Sequence, residues 1–102
     1  MSEVSFTISY KSAKMIISFI KFITENIRNN INMSWCYWKL SEIEDEMRKY
    51  KNKECDVVIE LCQKLRTIPR KKYMHGKFVK KAMDAFINAV NEVVSDEVVN
   101  SI

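Results

Sequence analysis

Glycine and proline each occur once in this chain of 102 residues, at Gly76 and Pro69, seven positions apart. In a helix interior, Gly costs about 1 kcal/mol and Pro about 3 kcal/mol relative to Ala, so a backbone with almost none of either defaults to long helices. The neighbourhood of these two breakers, residues 63–81, holds eight of the seventeen Lys and Arg, the one His, and no Asp or Glu. The place where the chain is expected to bend most sharply is therefore also its most positive place.

The length fits a single domain, residues 1–102, large enough to bury a core without metals or disulfides. A 47% hydrophobic and 29% charged composition belongs to a folded globular chain. Apolar spacing predicts four helices. The first, about 13–31 with Ser12 as its N-cap, carries Ile16, Ile20, Ile23 and Ile27 on one stripe, and Asn29, Asn30 and Asn32 read as its frayed end. The second, about 35–51, is capped by Ser34 and ended by Asn52, with Cys36, Leu40, Ile43, Met47 and Tyr50 spaced for one face. The third, about 54–67, uses Val58, Leu61, Cys62, Leu65 and Ile68 and stops before Pro69, whose ring disfavours helical geometry at Ile68. The fourth runs from Lys77 to Val94 or beyond, through Val79, Ala82, Met83, Phe86 and Val90. Residues 4–10 instead alternate apolar and hydroxyl side chains, the pattern of a strand or an extended N-terminal arm.

The first two helices resemble the last two displaced by 42–43 residues. Ile17, Ile20 and Ile23 overlay Ile59, Cys62 and Leu65, while Leu40, Ile43 and Met47 overlay Met83, Phe86 and Val90. The expected fold is thus all-α: two helical hairpins, about 1–52 with the arm and about 53–102, packed on a shared core. That core draws on Ile16, Ile20, Ile23, Leu40, Ile43, Met47, Leu61, Leu65, Val79, Met83, Phe86 and Val90.

Charge is unevenly spread. Residues 1–50 carry seven cations against six acids, residues 51–81 ten against three, and residues 82–102 none against four. A concentrated positive surface suits phosphate or an acidic protein. Cys36, Cys55 and Cys62 form no paired motif, and Cys55 and Cys62 stand two helical turns apart, about 10 Å, too far to bridge within one helix. They read as reduced core thiols in a cytoplasm. Met1–Val4 has no basic stretch leading into an apolar run, and the apolar Met15–Ile20 is cut short by Lys21, so neither a signal peptide nor a membrane span is expected.

Catalytic chemistry has little footing. His75 is the only histidine, it neighbours Gly76 and lysines, and no phosphate loop, dinucleotide fingerprint or zinc-protease motif occurs. Cys36, Cys55, Cys62 and His75 lack the close cysteine pairing of zinc sites. No enzyme and no cofactor is expected. Binding is better supported. Trp35, Tyr37 and Trp38 spread around a helix that turns 100° per residue, so Tyr37 and at least one Trp should reach solvent as anchors for a protein or peptide, helped by Arg70, Lys71 and Lys72. The alternative is sequence-blind nucleic-acid binding through Lys64, Arg66, Arg70, Lys71, Lys72, Lys77, Lys80 and Lys81. A second copy of the chain is a further candidate partner. Ile, Lys and Asn total 33 residues against ten of Gly, Ala, Arg and Pro, the bias of an A/T-rich genome. In length, bias and helical content the chain resembles the small orphan proteins of viruses and other mobile elements. That resemblance implies an inhibitor or adaptor of a host protein, working in the host cytoplasm.

Overall fold

A computed structural model describes residues 8–68 and 71–94. Four helices dominate: α1 (Tyr10–Glu25), α2 (Met33–Met47), α3 (Lys53–Arg66) and α4 (Gly76–Val93). Two strands of three residues, β1 (Asn30–Asn32) and β2 (Tyr73–His75), fill the joints and pair antiparallel. Both α1 and α3 lie against α2 and α4, so the four helices surround one core. The fold is all-α apart from that short ladder.

Local chemistry sets the boundaries, and it moves several of those expected from the sequence. Ser9, not Ser12, caps α1, its Oγ accepting from Ser12 N–H at 3.2 Å. Ser12 is buried one turn inside, where its hydroxyl donates to Glu46 Oε2 at 2.6 Å and lies 2.8 Å from Tyr50 Oη. Asn32 takes the α2 cap from Ser34 because its Oδ1 accepts from the N–H groups of both Ser34 (2.9 Å) and Trp35 (3.3 Å). Asn52 does not close α2. It opens α3, accepting from Cys55 N–H at 2.8 Å. Helix α1 stops at Glu25, since the Asn29–Asn32 stretch is drawn into the strand ladder. The alternation over 4–10 does not make a strand at its C-terminal end: Ser9 and Tyr10 cap and begin α1, and Ile8 is buried, while residues 4–7 lie outside the described part, as does any continuation of α4 through Val98 and Val99.

Ten of the twelve expected core residues are buried; Ile20 and Leu61 are half-buried and pack against the core. The lone glycine serves close approach. Gly76 opens α4 with no positive φ, and its N–H donates to Asn29 O at 2.8 Å. A Cβ there would lie 2.1 Å from Asn26 O and 2.7 Å from Ile27 Cα.

The two halves superpose in sequence with one offset, 43. Helix starts (Tyr10 and Lys53, Met33 and Gly76) and caps (Ser9 and Asn52, Asn32 and His75) are each separated by that number. The ladder obeys the same rule. Asn30 pairs with His75, Ile31 with Met74 and Asn32 with Tyr73, so exchanging the halves maps the register onto itself, with the twofold axis through Ile31 and Met74. Two flanking bonds are related likewise: Met33 N–H donates to Lys72 O at 3.0 Å, and Gly76 N–H to Asn29 O at 2.8 Å. Buried α2 residues Cys36, Leu40, Ile43 and Met47 correspond to Val79, Met83, Phe86 and Val90 of α4, all buried.

Candidate docking surface

The ladder carries the start of α2 and the basic joint to the same end of the molecule. Lys72 accepts from Met33 at the first residue of α2, and the Tyr37 hydroxyl donates to Ile68 O at 3.1 Å. Tyr37 is therefore not a solvent-facing anchor. It is 7% exposed, because its ring enters the core while its hydroxyl satisfies a carbonyl of the α3–β2 joint. Trp35 is half-buried, its ring 4.4 Å from Phe22 and 5.7 Å from Phe19. Trp38 projects, 58% exposed, with Lys39 Nζ 4.9 Å from its ring centroid.

The cations of the 63–81 stretch divide into two groups. Arg66 points inward, binding the buried carboxylate of Glu44 and donating to Ser41 Oγ at 2.9 Å; Arg48 and Gln63 reach the same carboxylate. It is a structural tie between α2 and α3, unavailable to phosphate. Lys64 and Lys80 sit near Glu60 and Asp84 at 3.7 and 3.5 Å, exposed pairs of little energetic consequence. Lys71, Lys72, Lys77 and Lys81 are free of ion pairs among the described residues, and Lys72 Nζ lies 5.6 Å from the Tyr73 ring centroid. Arg70 lies outside the described residues.

Beside these cations the seam between α3 and α4 opens as an apolar groove. One part, about 330 Å³, is walled by Leu61, Leu65, Ile68, Ala82 and Phe86, with Lys64 at its edge. The next, about 390 Å³, continues past Ile68 to Met74, Tyr73 and Phe78, with Lys71 and His75 on its rim. Phe78 and Tyr73 are 52% and 50% exposed. No acid occurs between Leu61 and Met83 in the sequence. The apolar floor and cationic border form a surface suited to an apolar ligand with negative charge beside it.

The side chains with chemical reactivity are otherwise engaged. His75 is exposed and caps α4, its Nδ1 accepting from Lys77 N–H at 3.2 Å. Burial pushes the Cys36 thiol up to about 11 and the Cys62 thiol up to about 12, far from a reactive thiolate, and raises Cys55 as well. Among the described residues no group of three or more His, Cys, Asp or Glu side chains gathers to hold a metal ion, and no helix is long and apolar enough to cross a membrane.

Phe78, Met74 and Tyr73 did not stand out in the sequence as site residues, and Ile68 read as the last apolar position of the third helix. A signal was present: Phe78 lies off the Val79, Met83, Phe86, Val90 stripe, so a bulky ring had to leave the core. No protein-family model, characterised protein or solved structure matches the chain.

Proposed function

We infer that this chain is a small non-catalytic binding module that docks on a protein, using the α3–α4 groove and the basic ladder end as its contact surface. The groove carries the reading: exposed aromatic and half-buried aliphatic side chains, beside lysines free of ion pairs among the described residues, provide the apolar centre and polar rim of a protein interface. Trp38 adds a second exposed aromatic anchor on α2. The resemblance to small viral and mobile-element proteins supports an inhibitor or adaptor that acts by occupying a host protein. Three buried, unbridged thiols suit the reducing host cytoplasm.

Affinity capture from the native host, with and without nuclease, tests this reading. A protein that stays bound after digestion, and whose binding falls with Trp38→Ala or Phe78→Ala in folded protein, supports it. A partner set that vanishes on digestion contradicts it.

Nucleic-acid binding has one observation in its favour, the set Lys71, Lys72, Lys77 and Lys81, free of ion pairs among the described residues. Binding by these side chains would be sequence-blind and would fall steeply with salt through counterion release. Titration of labelled DNA and RNA at two salt concentrations distinguishes it.

A further inference from the structure

The twofold relation between the halves gives the α3–α4 groove a counterpart in the same molecule. Advancing Ser18, Phe22, Trp35 and Lys39 by the 43-residue offset gives Leu61, Leu65, Phe78 and Ala82. The first four line the seam between α1 and α2; the second four line the groove parts between α3 and α4. In the first seam Trp35 lies down on Phe22 and Phe19, and Lys39 reaches back over the Trp35 ring at 5.9 Å, leaving a cleft of about 220 Å³. In the second, Leu61 is larger than Ser18, but the other equivalents contribute less cover. Leu65 replaces Phe22, Cys62 replaces Phe19, Ala82 replaces the Lys39 lid, and Phe78 is a smaller ring more than half exposed. One seam supplies its own aromatic plug; the other is open.

We propose that the α3–α4 groove receives an amphipathic helix of a partner protein, with a bulky aromatic side chain seated where Trp35 sits in the other half and carboxylates facing the lysines. This rests on the binding-module reading and names its ligand. The anchor follows from the twofold comparison, since the same backbone frame holds an indole in the other seam. The helical form follows from length: Phe78 to Phe86 spans about 12 Å of α4, two turns, which matches anchors at i, i+4 and i+7. The acidic character follows from charge complementarity, because Lys64 and Lys71 line the groove, Lys81 stands close by in sequence on α4, and no carboxylate lies among the lining residues.

The test is a display selection against the full chain, using helical peptides of about 18 residues, five turns. Aromatic and aliphatic residues vary at i, i+4 and i+7, and the other faces are drawn from Glu, Lys, Gln and Ala. Enriched peptides should carry an aromatic anchor and net negative charge. Ala82→Lys, which restores the lid that Lys39 forms in the other half, should weaken them about thirtyfold, the size of a hot-spot loss. Lys64→Glu, at an exposed position that leaves the core untouched, should weaken them about tenfold and more so at low salt. Val57→Ala, at an exposed α3 position outside the groove-lining residues, should change nothing. No enrichment, or enrichment of basic peptides, overturns the proposal. Peptides indifferent to Ala82→Lys overturn the groove as the site while leaving the chain a protein-binding module. A dimer in sedimentation that both Ala82→Lys and Trp38→Ala abolish also overturns it, by giving the groove to a second copy's Trp38 face.

Discussion

The buried ion pair between α2 and α3 allows a sharp test of the twofold architecture. Glu44 is 6% exposed and holds Arg66, Arg48 and Gln63, while Arg66 Nε is buried without a hydrogen-bond partner. Under the 43-residue relation, Arg66 corresponds to Ile23 and Glu44 to Ile87, both part of the core or packed against it. The equivalent seam, between α4 and α1, thus carries isoleucines at both positions. Removing one member of a buried pair typically costs 3–5 kcal/mol, because the other is left charged and unpaired. Here the cost should be about 2 kcal/mol for either Glu44→Ile or Arg66→Ile, because Arg66 is 29% exposed and Arg48 remains to screen Glu44. The double substitution removes both charges and the unsatisfied Nε, so it should lie within about 1 kcal/mol of wild type. The coupling is then about 3 kcal/mol or more, read from urea unfolding by far-ultraviolet circular dichroism in a double-mutant cycle. A double variant destabilised by the sum of its singles would refute the correspondence between the seams.

Other consequences follow from single contacts. Gly76→Ala should cost about 3 kcal/mol or abolish folding, because the new methyl group meets backbone atoms of Asn26 and Ile27 that cannot rotate away; thermal unfolding checks it. Glu46 is held below the ordinary carboxylate value chiefly by its hydrogen bond with Lys49 and then by that from Ser12. Its contribution to stability is therefore present above the unfolded value and disappears as pH falls through the lower folded one, and Ser12→Ala should flatten that acid limb while costing about 1 kcal/mol. The buried thiols should alkylate only through unfolding at about pH 8, far more slowly than a free cysteine, as followed by mass spectrometry. Their raised values also mean that stability falls as pH climbs past the ordinary thiol range.

The helices were legible because their signal is local: a 3.6-residue apolar period reads directly from Ile16, Leu40, Val58 or Met83 and their neighbours. The joints were not, because what shapes them is distant. Asn30 and Asn32 have no strand character of their own, and they become β1 only when β2 lies alongside from 43 residues away. Tyr37 looked exposed when the helix was considered alone, yet its ring joins the core and Ile68 offers a carbonyl to its hydroxyl. Arg66 was indistinguishable from its basic neighbours until α2 brought Glu44 against it. The correspondence between the halves was visible in the apolar positions, but α1 and α3 aligned one residue out of register until the caps fixed the offset. The groove was hidden for the same reason. Leu61, Leu65 and Ala82 read as ordinary core positions, and only the comparison with Trp35 and Lys39 marks their seam as the uncovered one.

Photocrosslinking in the native host tests the docking account most directly, with a photoreactive phenylalanine analogue at Phe78 and, as a control, at Val57, exposed on α3 outside the groove-lining residues. Position 78 should give a nuclease-resistant crosslink to one protein, lost on adding Ala82→Lys, and position 57 should give none. Crosslinks to nucleic acid, or a protein captured equally from both positions, would contradict it.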